Sequence, residues 1–262
     1  MTLNLRHPKI HKKVMATLGS GDNVRSRTVL VTGSSRGIGL AVAREFSALG
    51  DKVVVNGRVD GKRLVAAVKE IPGSVGFLAD MSDYGRACEV FKEVKEKLGP
   101  VEVLVNNAGM EHFGLFSDTV PEDWAEIMGH NFNTVLNATH LAIPDMIKAK
   151  RGVIINISSI WGNTGASCEG VYAASKGAVN TFTKSMAKEL GPSGIRVNAI
   201  ACGAVETRMN DRLSQEECDD FIENIPLSRL GTPEEVGKLV CFLASEDASY
   251  LTGQIIGLDG GY

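Results

Sequence analysis

The sequence predicts an α/β fold in which a doubly wound, seven-stranded parallel sheet is covered by helices on both faces, within a single domain. Seven short runs rich in β-branched residues alternate with longer segments of helical periodicity. No change in composition that would mark a linker interrupts this alternation from Thr28 onward. Parallel strands need crossover connections, and these are right-handed helices that pack on the sheet. The alternation therefore predicts the architecture.

The predicted strands are continuous apolar runs, which is typical of strands buried on both faces. In chain order they read TVLVTG, KVVVNG, SVGFLAD, VEVLVNN, GVIINISS, IRVNAIA and QIIGLDGG. Between the first two lies GIGLAVAREFSALG, which places Ile38, Val42, Phe46 and Leu49 on one helical stripe and ends at Gly50. This segment predicts a helix that packs on the sheet and ends at a glycine.

Composition and charge narrow the classes of protein that the chain can represent. The 262 residues are 44% hydrophobic and carry a net charge of −3, which gives no general attraction to nucleic acid. No apolar run reaches the roughly 18 residues that a membrane span requires. Basic residues break up the first twenty positions, where a secretory signal needs an apolar stretch. We therefore expect a soluble, cytoplasmic protein whose partner is neither a nucleic acid nor a membrane.

The cysteines indicate a reducing compartment and no metal centre. Their number is odd, they are far apart and they form no CxxC pair. This distribution argues against a disulfide framework and against a zinc site. The five are Cys88, Cys168, Cys202, Cys218 and Cys241.

The first 27 residues differ in charge from the rest of the chain. Residues 1–27 hold six Lys and Arg residues against one acid, a local charge of +5 that leaves −8 for the remainder. A targeting peptide, a partner-binding arm and a remnant of cloning all remain open. We treat residues 1–27 as a basic extension of unknown role and residues 28–262 as the domain.

A glycine-rich turn follows the first predicted strand directly. The segment VTGSSRGIGLA supplies Gly33, Gly37 and Gly39 at the mouth of the first predicted helix. Glycines at such a junction permit a tight turn and allow backbone N–H groups to approach a pyrophosphate. The turn therefore predicts a dinucleotide site, although its GxxxGxG spacing differs from GxGxxG.

The end of the second predicted strand indicates which dinucleotide binds. An NAD site normally offers a carboxylate there to the ribose 2′-hydroxyl, whereas this strand ends in Asn56, Gly57 and Arg58. Arg58 and Arg36 of the glycine turn are suited to hold a 2′-phosphate through charge-assisted hydrogen bonds. The alternative is that either is a solvated surface arginine. The pattern favours NADP(H).

Tyr172 and Lys176 stand four positions apart in GVYAASKGAVNTF. Side chains at this spacing lie on one helix face, so the phenol and the ammonium project in one direction. The pair is either a half-buried ring beside a surface cation or a catalytic acid with a cation that assists it.

Four motifs together resemble the short-chain dehydrogenase/reductase family, over about residues 28–262. TGSSRGIG is similar to its cofactor turn, NNAG at 106–109 to the segment after its fourth strand, YAASK to its active-site helix and YLTGQIIGLDGGY to its carboxyl end. The resemblance implies a Rossmann-like fold and an NADP(H)-dependent oxidoreductase that interconverts carbonyl and hydroxyl groups. It also implies a homotetramer that uses helices around 121–149 and 170–190 and the carboxyl end.

The resemblance assigns four catalytic residues. Tyr172 is implied as the acid that protonates the substrate oxygen, Lys176 as the cation beside it, Ser159 as the group that holds that oxygen and Asn131 as the holder of a relay water. Ser158 is the adjacent alternative to Ser159, but Ser159 stands at the usual 13-residue distance from Tyr172. A strand-end hydroxyl bonded to backbone is the structural interpretation of Ser158.

The resemblance also assigns the cofactor contacts. Asn107 is similar to a cofactor-side structural residue, and Asp80 with Met81 to the adenine contacts, although an Asp after a strand is as often a helix cap. Gly203, Val205 and Thr207 match the nicotinamide-carboxamide segment, while Cys202 stands where the family usually has proline. The full set is Gly33, Ser35, Arg36, Gly37, Ile38, Gly39, Arg58, Asp80, Met81, Asn107, Ala108, Gly109, Tyr172, Lys176, Gly203, Val205 and Thr207.

Substrate choice is expected in three segments around these residues, at 110–116, at 161–171 and in a loop at about 208–225. The candidate substrate contacts are His112, Trp161, Cys168 and Glu169. They suggest a partly apolar, uncharged-to-cationic lining without an arginine to bind a small keto acid.

The overall likeness is greatest to 3-oxoacyl-[acyl-carrier-protein] reductases. Lys148, Lys150 and Arg151 could meet an acidic carrier, but Ser193 stands where such reductases often have arginine. Hydroxysteroid, bile-acid and polyol dehydrogenases share every catalytic motif and remain alternatives. A catalytically silent NADP sensor is disfavoured because the four catalytic residues are all present.

Overall fold

The computed structural model describes residues 26–207, 219 and 221–262. The basic extension up to residue 25 and the loop positions 208–218 and 220 lie outside the described residues. No helix in the described part of the chain has the length and apolar character that crossing a membrane requires.

Seven parallel strands form one sheet, as predicted. The strands are β1 (Thr28–Val31), β2 (Lys52–Gly57), β3 (Val75–Leu78), β4 (Val103–Asn106), β5 (Gly152–Ser159), β6 (Ile195–Cys202) and β7 (Ile255–Leu258). Their spatial order is β3-β2-β1-β4-β5-β6-β7. The strand order reverses between β1 and β4, and in such sheets ligands bind beyond the carboxyl ends of the strands at this point.

Helices connect the strands. They are α1 (Gly37–Ala48), α2 (Gly61–Glu70), α3 (Tyr84–Leu98), α4 (Pro121–Met128), α5 (Thr134–Ala149), the single turn α6 (Trp161–Thr164), α7 (Gly170–Leu190) and α8 (Pro233–Ala244).

The predicted stripe of α1 is correct except at its end. Val42 and Phe46 are fully buried, and Ile38 packs against the same core. Leu49 is instead exposed, because the helix ends at Ala48 and the chain turns away at Gly50, whose φ is +84°. The predicted glycine stop is confirmed.

Alternate strand residues face two separate apolar layers. Val29 and Val31 join a core that contains residues of α1 and α8, whereas Leu30 joins a core that contains residues of α3, α5 and α7. Burial on both faces explains why the strands read as continuous apolar runs.

A buried polar chain crosses the second core and fixes the strands near the site. The Asn106 amide nitrogen donates to Asn156 Oδ1 at 2.8 Å and to Thr139 Oγ1 at 3.2 Å. The Asn156 amide nitrogen donates in turn to Thr183 Oγ1 at 2.8 Å. These bonds tie β4 and β5 to α5 and α7, so the two helices hold a defined position relative to the strand ends.

Candidate active site

The glycine turn between β1 and α1 packs directly on the segment after β4. Gly33 has φ +63°, and a Cβ there would lie 2.8 Å from the Ala108 Cα; a Cβ at Gly39 would lie 2.5 Å from the Asn107 amide nitrogen. At Gly37, with φ +55°, the nearest atom to such a Cβ is Thr207 Cγ2 at 3.8 Å. The turn is thus tightly packed against Asn107 and Ala108 at Gly33 and Gly39, and it has open space at Gly37.

The first turn of α1 retains hydrogen-bonding capacity for an anion. Arg36 occupies the N-cap position without a side-chain cap, and no acidic residue lies in the first turn. Unsatisfied N–H groups at a helix start favour a phosphate. The open glycine surface and these N–H groups together fit the pyrophosphate of a dinucleotide.

Asn107 holds the two loops together. Its amide nitrogen donates to the carbonyls of Thr32 and Gly33 at 3.0 and 3.1 Å. The Thr32 hydroxyl accepts from the backbone N–H groups of Asn107 and Ala108, each at 3.0 Å. Ser35 and Gly109 lie in the same two loops, and Ile38 lies in the first turn of α1.

The end of β2 offers no carboxylate. Gly57 is buried, and a Cβ there would meet Ser35 at 3.5 Å. Arg36 and Arg58 are both exposed, and Arg58 contacts the Nε2 atom of His130 and lies 3.8 Å from Glu126 Oε1. A 2′-phosphate would therefore meet positive charge at this edge of the sheet.

Asp80 is not the cap of the helix that follows β3. That position belongs to Asp83, which accepts from the Arg86 N–H, so the helix-cap alternative is wrong. Asp80 Oδ1 accepts from the Ser82 N–H at 2.9 Å and the Ser82 hydroxyl at 2.7 Å. Burial raises the pKa of Asp80, but the bonds from Ser82 and the charges of His130 and Arg58 outweigh burial, so the pKa lies below its usual value.

Met81 follows Asp80 at the same edge and has a buried side chain. Its carbonyl accepts from the Asn137 amide nitrogen at 3.1 Å. The contact of Asp80 and Met81 with adenine stays a prediction.

Asn131 lies in a wide helical turn between α4 and α5. Residues Gly129–Asn133 form one π-helical turn, a feature frequent at functional sites. The Asn131 side chain is fully buried; its Oδ1 accepts from the Met110 N–H at 2.7 Å, and its nitrogen donates to the Met110 carbonyl at 2.8 Å and to Ser175 Oγ at 3.0 Å. The amide thereby ties the segment after NNAG to α7.

Tyr172 and Lys176 lie on one face of α7, and both are buried, at 8% and 5% exposure. The lysine ammonium lies 5.7 Å from the centre of the tyrosine ring and donates to the Ile157 carbonyl at 3.0 Å. The interpretation of the pair as a ring beside a surface cation is therefore wrong. Ser159, at the end of β5, hydrogen-bonds the Tyr172 phenol and accepts from the Trp161 N–H at 3.2 Å.

Burial shifts the protonation of both groups. It raises the pKa of Tyr172 well above its usual value; the Ser159 hydrogen bond acts in the opposite direction, and the nearby Glu169, Cys202 and Glu111 add to the rise. Burial lowers the pKa of Lys176 to about 8, with Cys202 acting in the opposite direction. Burial of the phenol thus sets the direction in which its pKa moves.

Ser158 has the structural role considered for it. Its hydroxyl donates to the Lys176 carbonyl at 3.3 Å inside the protein. The buried side-chain oxygen is therefore committed to the backbone of α7.

Cys202, at the family's proline position, is the last residue of β6. It pairs with Ser159 of β5 and Leu258 of β7, and its carbonyl accepts from the Ile160 N–H at 3.0 Å. Burial raises the pKa of its thiol to about 12, with Lys176 acting in the opposite direction. The thiol is thus a small packed side chain, and the strand keeps its sheet pairing through this position.

The segment after Cys202 returns to the glycine turn. The Gly203 N–H donates to the Leu258 carbonyl at 3.0 Å, and a Cβ at Gly203 would lie 2.8 Å from the Asp259 Cα. Val205 is buried and bridges to Gly231. Half-buried Thr207 lies next to Gly37, so the segment borders the predicted cofactor groove.

Three of the four predicted substrate residues lie in two different surroundings. His112 and Cys168 line one depression with Phe116 and Val171, and the Cys168 carbonyl accepts from the Gly114 N–H at 2.9 Å. Trp161 lies against the ring of the last residue, Tyr262, which also stacks on Phe221. Two carboxylates, Glu169 and Glu111, act on the Tyr172 phenol. The expected uncharged-to-cationic lining of the substrate pocket stays a prediction.

Several residues at the site had no signal in the sequence. His130 and Glu126 belong to no motif, and their contacts with Asp80 and Arg58 join segments far apart in the chain. The one pointer to that region was Asn131, the next residue, for which the family resemblance implies a catalytic role.

Comparison with known proteins places this geometry in a family. The family model described as Enoyl-(Acyl carrier protein) reductase matches residues 33–262. The chain is 40% identical to the 3-oxoacyl-[acyl-carrier-protein] reductase FabG of Thermotoga maritima, over 91% of the chain and 98% of the relative. It is 39% identical to FabG of Aquifex aeolicus, over 91% and 98%, and 36% identical to the uncharacterized oxidoreductase YmfI of Bacillus subtilis, over 90% and 99%.

The fold has a similar counterpart among solved structures. A crystal structure of a provisionally assigned betaketoacyl-ACP reductase superposes with a TM-score of 0.83 and 32% identity, over 91% of this chain and 98% of that chain. The matched family, the extent of these likenesses and the assembled Asn131, Ser159, Tyr172 and Lys176 lead to one conclusion: the chain belongs to the short-chain dehydrogenase/reductase family of oxidoreductases.

Proposed function

We propose that this protein is an NADPH-dependent reductase that converts a 3-oxoacyl thioester of acyl carrier protein or coenzyme A into the 3-hydroxyacyl form. The observation that carries the proposal is the meeting of Ser159, Tyr172 and Lys176 beside the NNAG segment, where a Cβ at Gly109 would lie 3.5 Å from Lys176 Nζ. The substrate class is supported by the two FabG relatives, which are similar over nearly their whole length.

Proton transfer to the substrate oxygen is the task of Tyr172. When bound, NADPH supplies the hydride for the carbonyl carbon. The raised pKa of Tyr172 keeps the phenol protonated at neutral pH, which is the form a proton donor needs. Ser159, already hydrogen-bonded to the phenol, is placed to share the carbonyl oxygen and to fix its orientation.

Lys176 serves the step that follows. Donation of the proton leaves a phenolate on Tyr172, and a cation on the same buried face stabilises that charge until the phenol is protonated again. With a pKa of about 8, Lys176 is charged at neutral pH. In balance, the carbonyl would gain a hydride from the cofactor and a proton from Tyr172, and solvent would supply the proton that restores the phenol.

The preference for NADPH over NADH rests on charge at the end of β2. Buried Gly57 replaces the carboxylate of an NAD site, and exposed Arg36 and Arg58 flank the opening. Arginine suits a phosphate because its planar guanidinium donates two parallel hydrogen bonds. We therefore assign the ribose 2′-phosphate to these two residues.

A hydroxysteroid is the second candidate substrate, with bile acids included. Phe113 and Phe116, at 60% and 63% exposure, add an apolar rim near the depression that His112 and Cys168 line. Such a rim suits an acyl chain and a sterol alike. It suits a polyol poorly, since a polyol offers little apolar surface.

We also propose that the enzyme is a cytoplasmic homotetramer. Family resemblance is the basis, and the expected contacts involve α5, α7 and the chain's last residues. Light scattering at micromolar concentration should give four times the mass of one chain. A monomer would refute the proposal, and a dimer would leave one of its two interfaces.

The direct test of the activity is loss of NADPH absorbance when acetoacetyl thioesters are added to the purified protein. Turnover that needs both the thioester and the reduced cofactor supports the proposal. Absence of turnover with every thioester, in protein that binds NADPH, refutes the substrate class.

A further inference from the structure

A cluster of four charged or titratable side chains lies beside the predicted adenosine end of the cofactor groove. Arg58 follows β2, Asp80 follows β3, and Glu126 and His130 come from α4 and the wide turn after it. The His130 Nδ1 atom lies 3.8 Å from Asp80 Oδ1, and its Nε2 atom lies 3.6 Å from Glu126 Oε1. This arrangement brings a carboxylate from α4 to the edge where a 2′-phosphate is expected.

Arg58 is already in contact with two groups of this cluster. Its Nη1 atom contacts His130 Nε2 and lies 3.8 Å from Glu126 Oε1. The guanidinium is thus held between the His130 ring and the Glu126 carboxylate. His130 therefore positions the guanidinium, while Glu126 supplies the negative charge that the guanidinium faces.

A 2′-phosphate and Glu126 would compete for the same guanidinium. The phosphate brings up to two negative charges to a point close to a carboxylate, and like charges at short range repel. NADH, which has a hydroxyl there, leaves the contact between Arg58 and Glu126 undisturbed. Glu126 is therefore expected to affect the binding of NADPH and not the binding of NADH.

We infer that Glu126 is a specificity-determining residue that weakens NADPH binding by competing with the 2′-phosphate for Arg58. The inference rests on the proposed preference for NADPH and adds a residue that limits it. Glu126 lies on the surface of α4, outside the catalytic residues, so its substitution leaves the proton-transfer groups in place.

The test is a set of dissociation constants for NADPH and NADH, measured by calorimetry at fixed ionic strength. Glu126→Gln should tighten NADPH about two- to fivefold, the range that an exposed ion pair is worth, and leave NADH unchanged. Glu122→Gln is the matched control, since it removes the same charge from an exposed position in the first turn of α4. An equal effect of both variants, or no change in the ratio of constants, would overturn the inference.

A second background separates this inference from the cofactor assignment. In Arg58→Gln, the Glu126→Gln change should no longer favour NADPH, since the guanidinium for which they compete is gone. If Arg58→Gln weakens NADPH but Glu126→Gln has no effect in the native background, only the role of Glu126 fails. If Arg58→Gln leaves NADPH binding unchanged, the assignment of the 2′-phosphate to Arg58 fails, and the inference fails with it. Adenosine 2′,5′-bisphosphate should respond to these substitutions as NADPH does, and AMP should respond as NADH does, because each pair differs by the 2′-phosphate.

Discussion

The ammonium of Lys176 lies 5.7 Å from the centre of the Tyr172 ring and donates to the Ile157 carbonyl, with both side chains buried. A lysine removed from water and held by a carbonyl is not a solvated surface cation. Its fixed position beside the phenol explains why a helix of small and apolar residues carries these two polar groups four residues apart.

Replacing Tyr172 by phenylalanine tests the proton donor. The change removes one oxygen and keeps the packing of the ring, so kcat should fall by about 10²-fold or more while the Kd for NADPH barely changes. Steady-state kinetics and calorimetry measure the two quantities. Tyr250→Phe, at a fully exposed tyrosine, is the control and should keep native turnover. Near-native turnover of Tyr172→Phe would eliminate Tyr172 as the acid.

The lowered pKa of Lys176 predicts a dependence of cofactor use on pH. Below about 8 the ammonium is charged, and above it the charge is lost, so kcat/KM for NADPH should fall as pH rises from 7 to 9. In Lys176→Arg the cation persists through this range, and the fall should disappear relative to the variant's own value at pH 7. A flat native profile would contradict the assignment.

The contribution of Lys176 to stability should rise with pH, whereas its contribution to activity should fall. Its folded pKa of about 8 lies below the ordinary 10.5, so the unfolded chain binds more protons between these values. The contribution of Lys176 to the free energy of unfolding therefore rises with pH in that window. Thermal unfolding measured at pH 7 and at pH 9 should therefore show no loss of stability from Lys176 at the higher pH. A fall in activity between these pH values then reflects the lost charge of Lys176 and not unfolding of the protein.

Charge reversal at the end of β2 tests the choice of cofactor. Arg58→Asp removes a donor to the 2′-phosphate and supplies the carboxylate that an NAD site offers to the ribose. The Kd for NADPH should rise roughly tenfold or more, and the Kd for NADH should fall. The measurements need a fixed ionic strength, because Arg36 and Arg58 are exposed and salt screens their attraction for the phosphate. Equal affinities of the native protein for the two cofactors would contradict the assignment.

The seven parallel strands and the placing of Tyr172 and Lys176 on one helix face could be predicted because they depend on local pattern. Continuous apolar runs locate strands, and the glycine turn and the YAASK spacing each lie within one short segment. The exposure of Leu49 was missed because helical periodicity does not show where the last turn ends. The wide turn at Gly129–Asn133 was missed for a similar reason, since its hydrogen bonds follow tertiary contacts of Asn131.

The electrostatic surroundings could not be predicted, because they join distant segments. The contact of Arg58 with His130 spans 72 positions, and no periodicity indicates it. Glu111 and Glu169 act on Tyr172 only because the loops after β4 and before α7 meet at Gly114 and Cys168. The sequence also did not show that Cys202, at the position where the family usually has proline, keeps its sheet pairing as the last residue of β6.

The most direct test of the central claim compares kcat/KM for acetoacetyl thioesters, hydroxysteroids and simple polyols with NADPH or NADP⁺, in the native protein and in Tyr172→Phe. The account predicts that the thioesters, on acyl carrier protein or coenzyme A, give the highest kcat/KM, and that this activity falls by about 10²-fold or more in the variant. A hydroxysteroid as best substrate would contradict the acyl-thioester assignment and leave the mechanism standing. Thioester reduction that persists in Tyr172→Phe would contradict the mechanism itself.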